Sequence, residues 1–317
     1  MQVSEIAKRI VGNVEQAIVG KRQQIVLAIT SWLCEGHLLL EDVPGVAKTM
    51  LARALAQSVG CTFKRIQCTP DLLPTDISGM SIFNQKSGEF EFRPGPIFAQ
   101  LVLADEINRA TPRAQAALLE AMAERSVSVD GETRKLQPPF IVIATQNPVD
   151  HEGTFPLPEA QLDRFFMRFS LGYPTLDEEL QMLDKLQISH PIDSMSPVVS
   201  AEEMVAAQQA VRKIHVDPKI RSYLGQIVHA TRDHEDLRLG ASPRASIALF
   251  RGSQALAAVR GRNFVQPDDV KRIAGPILMH RVILQPESRL RKVTAAEVIN
   301  DVVAEIPVPL ISQQASA

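Results

Sequence analysis

The stretch Leu38-Leu39-Leu40-Glu41-Asp42-Val43-Pro44-Gly45-Val46-Ala47-Lys48-Thr49 constrains this chain more than any other. A short apolar run enters a Pro-Gly loop, the loop ends in Lys-Thr, and Met50-Leu51-Ala52-Arg53-Ala54-Leu55-Ala56 continues as a helix-forming segment. Strand, glycine loop and helix in that order make a phosphate cradle, because the loop N–H groups and the positive end of the helix dipole face one anion. Lys48 would reach the β- and γ-phosphates, and the Thr49 hydroxyl would sit on Mg²⁺. The general loop pattern carries glycine at both ends of its four variable residues, and here Asp42 and Ala47 stand in those places. Gly45 supplies the remaining backbone freedom. Ala47 adds only a methyl, and Asp42, at the strand end, is expected to point its side chain away from phosphate. Alone, so degenerate a loop does not separate from an ordinary strand-to-helix turn, and the rest of the chain must decide.

Apolar positions Val3, Ile6, Ile10 and Val11 recur at helical spacing, so residues 2 to 34 read as helices. Strands are expected at 37–41, 61–68, 101–104, 140–144 and 165–171, with helices at 112–124 and 158–164. Short apolar strands alternating with helices imply an α/β fold with a parallel sheet flanked by helices. Two β-hairpins interrupt it, at about 77–92 around Lys86-Ser87-Gly88 and at about 126–137 around Asp130-Gly131. From Leu176 onward the strand signal fades. Residues 176–187, 201–214, 218–232, 243–260 and 267–280 suit helices, so a small all-α domain is expected to follow a core of residues 1–175. The last residues, 312–317, are expected to be disordered.

Composition excludes several classes. The 317 residues carry a net charge of −2, so no global basic field marks a nucleic-acid binder. No run approaches the roughly 18 apolar residues of a membrane span, and no signal-peptide pattern opens the chain. Three cysteines, Cys34, Cys61 and Cys68, form no paired metal motif and read as reduced thiols of a cytoplasmic protein. The histidines lack the His-Glu-x-x-His pattern of a zinc site.

Three strand ends carry chemistry in chain order: Lys48-Thr49, Asp105-Glu106 and Asn147. Ligands of open α/β sheets sit beyond the C-terminal strand ends, so the fold gathers these residues. Asp105 is placed to hold Mg²⁺ through water, Glu106 to polarise an attacking water, and Asn147 to hydrogen-bond that water or the γ-phosphate. Phosphoryl transfer is mostly positioning and charge neutralisation, so cations are needed as well, and Arg164 and Arg244 are candidates. Each residue has a plainer reading: helix cap for the acids, turn former for Asn147, surface charge for the arginines. Their joint order outweighs those readings.

Asp105-Glu106-Ile107-Asn108-Arg109-Ala110, Gln115-Ala116-Ala117-Leu118-Leu119-Glu120-Ala121-Met122, Ala144-Thr145-Gln146-Asn147-Pro148 and Leu157-Pro158-Glu159-Ala160-Gln161-Leu162-Asp163-Arg164-Phe165 resemble the MoxR family of AAA+ ATPases. Thr69-Pro70-Asp71-Leu72-Leu73-Pro74 and Gly240-Ala241-Ser242-Pro243-Arg244 are similar too. The resemblance spans nearly the whole chain. It implies an AAA+ P-loop core with a helical lid, ATP and Mg²⁺ as ligands, and a homo-oligomeric ring, expected to be a hexamer. It makes residues 42 to 50, that is Asp42, Val43, Pro44, Gly45, Val46, Ala47, Lys48, Thr49 and Met50, the phosphate loop. Val19 and Gly20 match the segment that contacts adenine. Asn147 becomes sensor 1, Arg244 sensor 2, and Arg164 the arginine finger acting on the neighbouring subunit's nucleotide. Both hairpins face the central pore in relatives.

The leading function is an Mg²⁺-dependent ATPase that remodels or matures client proteins, by metal insertion or complex assembly. By resemblance it works with proteins carrying a von Willebrand factor A domain. Alternatives are a nucleic-acid motor, a magnesium-chelatase-type subunit, and a scaffold that binds ATP and scarcely hydrolyses it. Hairpin 126–137 sets Arg134 and Lys135 against Asp130 and Glu132, so it lacks the basic excess of a phosphate-tracking loop.

Overall fold

The computed structural model describes residues 2–148, 153–186 and 191–309. The expected disorder of 312–317 lies outside them. In chain order the helices are α1 Val3–Ala17, α2 Arg22–Leu33, α3 Lys48–Ser58, α4 Pro74–Ser78, α5 Pro112–Glu124, α6 Glu159–Leu162, α7 Leu176–Leu186, α8 Pro191–Ser194, α9 Ala201–Val211, α10 Pro218–Ala230, α11 Pro243–Val259, α12 Pro267–Leu278, α13 Pro286–Leu290 and α14 Ala295–Glu305. The strands are β1 Leu38–Glu41, β2 Phe63–Gln67, β3 Gly79–Asn84, β4 Glu89–Pro94, β5 Leu101–Asp105, β6 Ser126–Val129, β7 Glu132–Lys135, β8 Ile141–Gln146, β9 Met167–Phe169, β10 Leu237–Leu239 and β11 Ile283–Leu284.

Five strands form one sheet in the order β2-β5-β8-β1-β9, and every neighbouring pair is parallel. The three central strands show why they read as unbroken apolar runs. Leu38, Leu40, Leu101, Leu103, Ile141 and Ile143 enter a core shared with α1, α2 and α3. Their alternate residues, Leu39, Val102, Ala104, Val142 and Ala144, enter a second core against Leu118, Leu119 and Met122 of α5. Both faces are covered, so the period-2 polarity pattern vanishes. At the edge, β2 keeps polar side chains, Lys64, Arg65 and Gln67, around the single buried Ile66.

The hairpins close antiparallel, β3 on β4 and β6 on β7. They also touch each other: the Ser81 hydroxyl donates to the Asp130 carboxylate, and the Arg134 guanidinium lies 4.1 Å from the Phe92 ring centroid.

Three expectations need correction. The first hairpin starts at Gly79, because Pro74–Ser78 forms a short helix with Pro in its first turn. The part after Leu176 is not all-α: β10 and β11 pair antiparallel within it. Strands of three and two residues are too short to show an alternation. That part also holds α8, α13 and α14 beyond the five helices expected, and Ser200 and Thr294 cap α9 and α14 through capping boxes.

Candidate active site

Strand β1 delivers the loop to the C-terminal side of the sheet, and α3 leaves it at Lys48. Gly45 (φ 86°) and Ala47 (φ 61°) both adopt left-handed backbone. For an L-residue this costs on the order of 1–2 kcal/mol. Ala47 therefore holds a backbone shape that glycine would adopt at no steric cost. No side chain caps α3, and no acidic residue occupies its first turn. The first N–H groups of the helix are left for an external anion. Val46 is buried, Val43 and Met50 pack partly against the core, and Pro44 and Gly45 form the exposed tip.

Lys48 Nζ folds back onto the loop, donating to the carbonyls of Asp42 at 2.7 Å and Val43 at 3.0 Å. Burial lowers its pKa from the ordinary lysine value, and the charges of Asp42, Asp105 and Glu106 oppose that shift. The lysine and the two acids that follow β5 therefore share one electrostatic neighbourhood.

The strand ends are stitched together. Thr145 Oγ1 donates to Asp105 Oδ1 at 2.6 Å and accepts the Glu106 N–H at 2.8 Å. The Asp42 N–H donates to the Gln146 carbonyl at 3.1 Å. Asn147, next in the chain, is buried. Glu106 takes a left-handed conformation (φ 58°) that ends β5. Its Oε2 lies 3.4 Å from Gln67 Nε2 and 3.3 Å from Arg109 Nε.

This donor set fits Mg²⁺, which takes oxygen ligands, keeps several waters, and needs only one or two carboxylates beside substrate phosphates. Thr49 and Asp105 would supply the protein oxygens. The uncapped N-terminus of α3 fits phosphate.

Sequence reasoning missed Arg65, Gln67 and Thr145. Arg65 donates to Asp105 Oδ2 through Nη2 at 2.6 Å and Nε at 3.0 Å, and it also reaches Gln67 Oε1. The signal was available: two polar residues at alternate positions near the end of β2, facing one side of an edge strand.

Arg164 and Arg244 lie elsewhere. Among the described interactions, the exposed Arg164 donates to the Leu119 carbonyl of α5 at 2.8 Å, not to the loop. Arg244 Nη1 lies 3.7 Å from Asp163 Oδ2. Asp163 also pairs ionically with Arg281, whose Nε lies 2.9 Å from Oδ1, and accepts the Ser242 hydroxyl at 3.3 Å. The Arg281 side chain is only 4% exposed, and this desolvation lowers its pKa to about 10 against the pull of Asp163. One carboxylate thus holds three side chains of the helical part beside Arg164, a junction invisible in the sequence. Val19 and Gly20 follow α1, and the Glu178 side chain of α7 lies against Gly20.

The cysteines offer no site. Burial pushes Cys61 and Cys68 up to about 12, and Cys34 higher, so none is poised as thiolate. Cys68 is buried, while Cys34 and Cys61 are only half-buried.

Residues 37–167 match the family model "ATPase family associated with various cellular activities (AAA)", and residues 229–302 match that of the AAA lid domain. The uncharacterized protein YeaC of Bacillus subtilis is 49% identical over 300 residues, covering 95% of this chain and 94% of its own. Chaperone MoxR1 of Mycobacterium tuberculosis is 40% identical over 314 residues, 96% of this chain and 83% of its own. A crystal structure from Cytophaga hutchinsonii, 36% identical, superposes with a TM-score of 0.91 over 97% of this chain and 96% of that one.

Proposed function

Because the chain belongs to the MoxR family of AAA+ ATPases, we propose that it hydrolyses ATP with Mg²⁺ and uses the energy to remodel client proteins. One observation carries this reading. Hydrogen bonds tie the ends of β5, β8 and β1 together and set Lys48, Asp105 and Glu106 around an uncapped helix N-terminus.

Mg²⁺, which Thr49 and Asp105 would hold, would supply charge neutralisation at the transferring phosphate. The residues do the rest. Lys48 exchanges its two loop carbonyls for phosphate oxygens. Thr145 keeps Asp105 oriented. Glu106, steadied by Gln67 and Arg109, orients the attacking water, and Asn147 holds that water or the γ-phosphate. We assign the adenine contact to Val19 and Gly20.

Arg164 and Arg244 we assign to the neighbouring subunit's nucleotide. The support is that Arg244 reaches the carboxylate of Asp163, the residue adjacent to Arg164, so both arginines belong to one edge. A site completed by a neighbour requires a ring, which we take to be a hexamer, with the division between core and lid near residue 175. We place the clients in the cytoplasm and take a protein with a von Willebrand factor A domain as working partner. Among the described residues, no helix is long and apolar enough to cross a membrane. The exposed Phe83 and Phe90 of the first hairpin support a protein client, and Arg134 is engaged by Phe92 and Glu132 rather than free for phosphates.

The test is Lys48→Ala. Fluorescent ATP-analogue binding should fall at least tenfold and phosphate release should cease. Undiminished affinity would remove the loop from the site.

A further inference from the structure

Asp42 is the residue by which this loop departs most from the general pattern, and it is where the loop meets the rest of the molecule. Its buried carboxylate accepts three backbone N–H groups: Val43 on Oδ1 at 3.1 Å, and Leu171 and Gly172 on Oδ2 at 2.6 and 2.8 Å. Leu171 and Gly172 lie just beyond β9, on the segment that runs from the sheet to α7. Glycine at position 42 would leave both N–H groups without this acceptor. The opposite end of the same residue accepts Lys48 Nζ through its carbonyl.

The connecting segment is also held from a second side. Lys21 Nζ donates to the Tyr173 carbonyl at 2.9 Å and lies 3.6 Å from Glu178 Oε2. That same oxygen accepts the Thr175 N–H at 2.9 Å at the start of α7. Glu178 sits so close to Gly20 that a Cβ there would fall 1.8 Å from its Oε1. Two independent contacts therefore join residues 171–178 to the phosphate loop and to the segment assigned to adenine.

We propose that Asp42 is a positioning residue that transmits occupancy of the phosphate loop to the connection between the sheet and the helical lid. The proposal rests on the nucleotide-site reading above. The physics is local. Lys48 Nζ has three N–H donors and spends two on the Asp42 and Val43 carbonyls, so donating to both the β- and the γ-phosphate draws it off the loop carbonyls. Its departure frees the Asp42 peptide to rotate, and the side chain carries that rotation into two amides of the connecting segment. A small shift at the loop becomes a change in how the lid is held, because the hydrogen-bonded junction has discrete arrangements. The Asp163 junction with Arg244 and Arg281 joins the core to the lid that would respond.

The test uses the full chain and Asp42→Gly, which restores the general loop pattern. Two quantities are measured: affinity for a fluorescent ATP analogue, and amide hydrogen exchange over residues 171–178 with and without Mg·ATP. In the wild type, nucleotide should change exchange across this segment. In Asp42→Gly, affinity should stay within about threefold, because glycine is the usual residue there. The Leu171 and Gly172 amides should exchange at least tenfold faster, nucleotide should no longer alter the segment, and kcat should fall with KM little changed. A nucleotide-dependent exchange change that persists in Asp42→Gly overturns the proposal. So does a loss of affinity as deep as that of Lys48→Ala. If Asp42→Gly fails to fold, Asp42→Asn, with one acceptor oxygen in place of two, reads the same quantities with a smaller loss of coupling. A wild type that binds no ATP removes the site itself, a result separate from loss of coupling in a variant that still binds.

Discussion

Arg65 Nη2 lies 2.6 Å from Asp105 Oδ2, so the carboxylate expected to serve Mg²⁺ is held by a guanidinium from the edge strand. The other oxygen of Asp105 is taken by Thr145. A cation that uses Asp105 competes with Arg65. Asp105 is buried, but the Arg65 side of the pair is half exposed, which limits its strength to about 1 kcal/mol.

Arg65→Ala should therefore lower the Mg²⁺ concentration needed for half-maximal ATP-analogue binding by about threefold to fivefold. A titration of Mg²⁺ at fixed nucleotide measures this. A raised Mg²⁺ requirement would mean that Arg65 prepares Asp105 for the metal instead of opposing it.

Glu106→Gln keeps the side chain's size and removes the carboxylate that orients water. ATP binding should persist while turnover falls by about two to four orders of magnitude. The variant should gather in its ATP-bound assembly, visible by light scattering. Wild-type turnover would take Glu106 out of the reaction.

Arg164→Ala should bind ATP normally and lose about 10³ to 10⁵ in rate. Mixed with Lys48→Ala, also inactive alone, it should recover part of the activity, because each subunit lends what the other lacks. Arg244→Ala should be rescued by the same partner. Rescue of Arg164→Ala but not of Arg244→Ala would return Arg244 to its own subunit's nucleotide.

The two hairpins are joined through Ser81 and Asp130 and through Arg134 over Phe92. Replacing residues 79–94 by a tight turn should leave basal ATPase within about twofold and abolish stimulation by clients. Arg134→Ala should weaken that stimulation partly. Loss of ATP binding in the shortened variant would make the hairpin a structural element.

His37 is buried, with Nε2 donating to the Met122 carbonyl and Nδ1 accepting the Val142 N–H. The Val142 bond requires the neutral ring, because a protonated Nδ1 has no lone pair left to accept with, whereas the Met122 bond survives protonation. Burial lowers its pKa to about 4. A histidine depressed in the folded state contributes stability that is present above its unfolded value of about 6.5 and is lost as pH falls toward 4. Urea unfolding should weaken through that window by on the order of 3 kcal/mol from this residue. His280, shifted in the same direction, should steepen the loss. His37→Gln should flatten the slope by about one proton. An unchanged slope would assign the acid sensitivity elsewhere.

The features legible in the chain before it folds were those with short-range causes. Apolar runs of three to five residues marked β1, β5 and β8, because a strand buried on both faces needs no polar alternation. Asp130-Gly131 set the second hairpin through its own backbone preferences. Asp105, Glu106 and Asn147 stood out because each ends or directly follows an apolar strand, and Lys48 because it closes the glycine loop after β1; parallel topology carries such positions to one edge. Tertiary structure alone decided the partners. Arg65 meets Asp105 across two strands 40 positions apart, Asp42 meets Leu171 129 positions away, and Arg281 meets Asp163 from another layer. A charged residue on an exposed strand or helix has the same local propensity whether it faces water or a carboxylate. Only the packed chain, by bringing distant segments within about 3 Å, distinguishes the two.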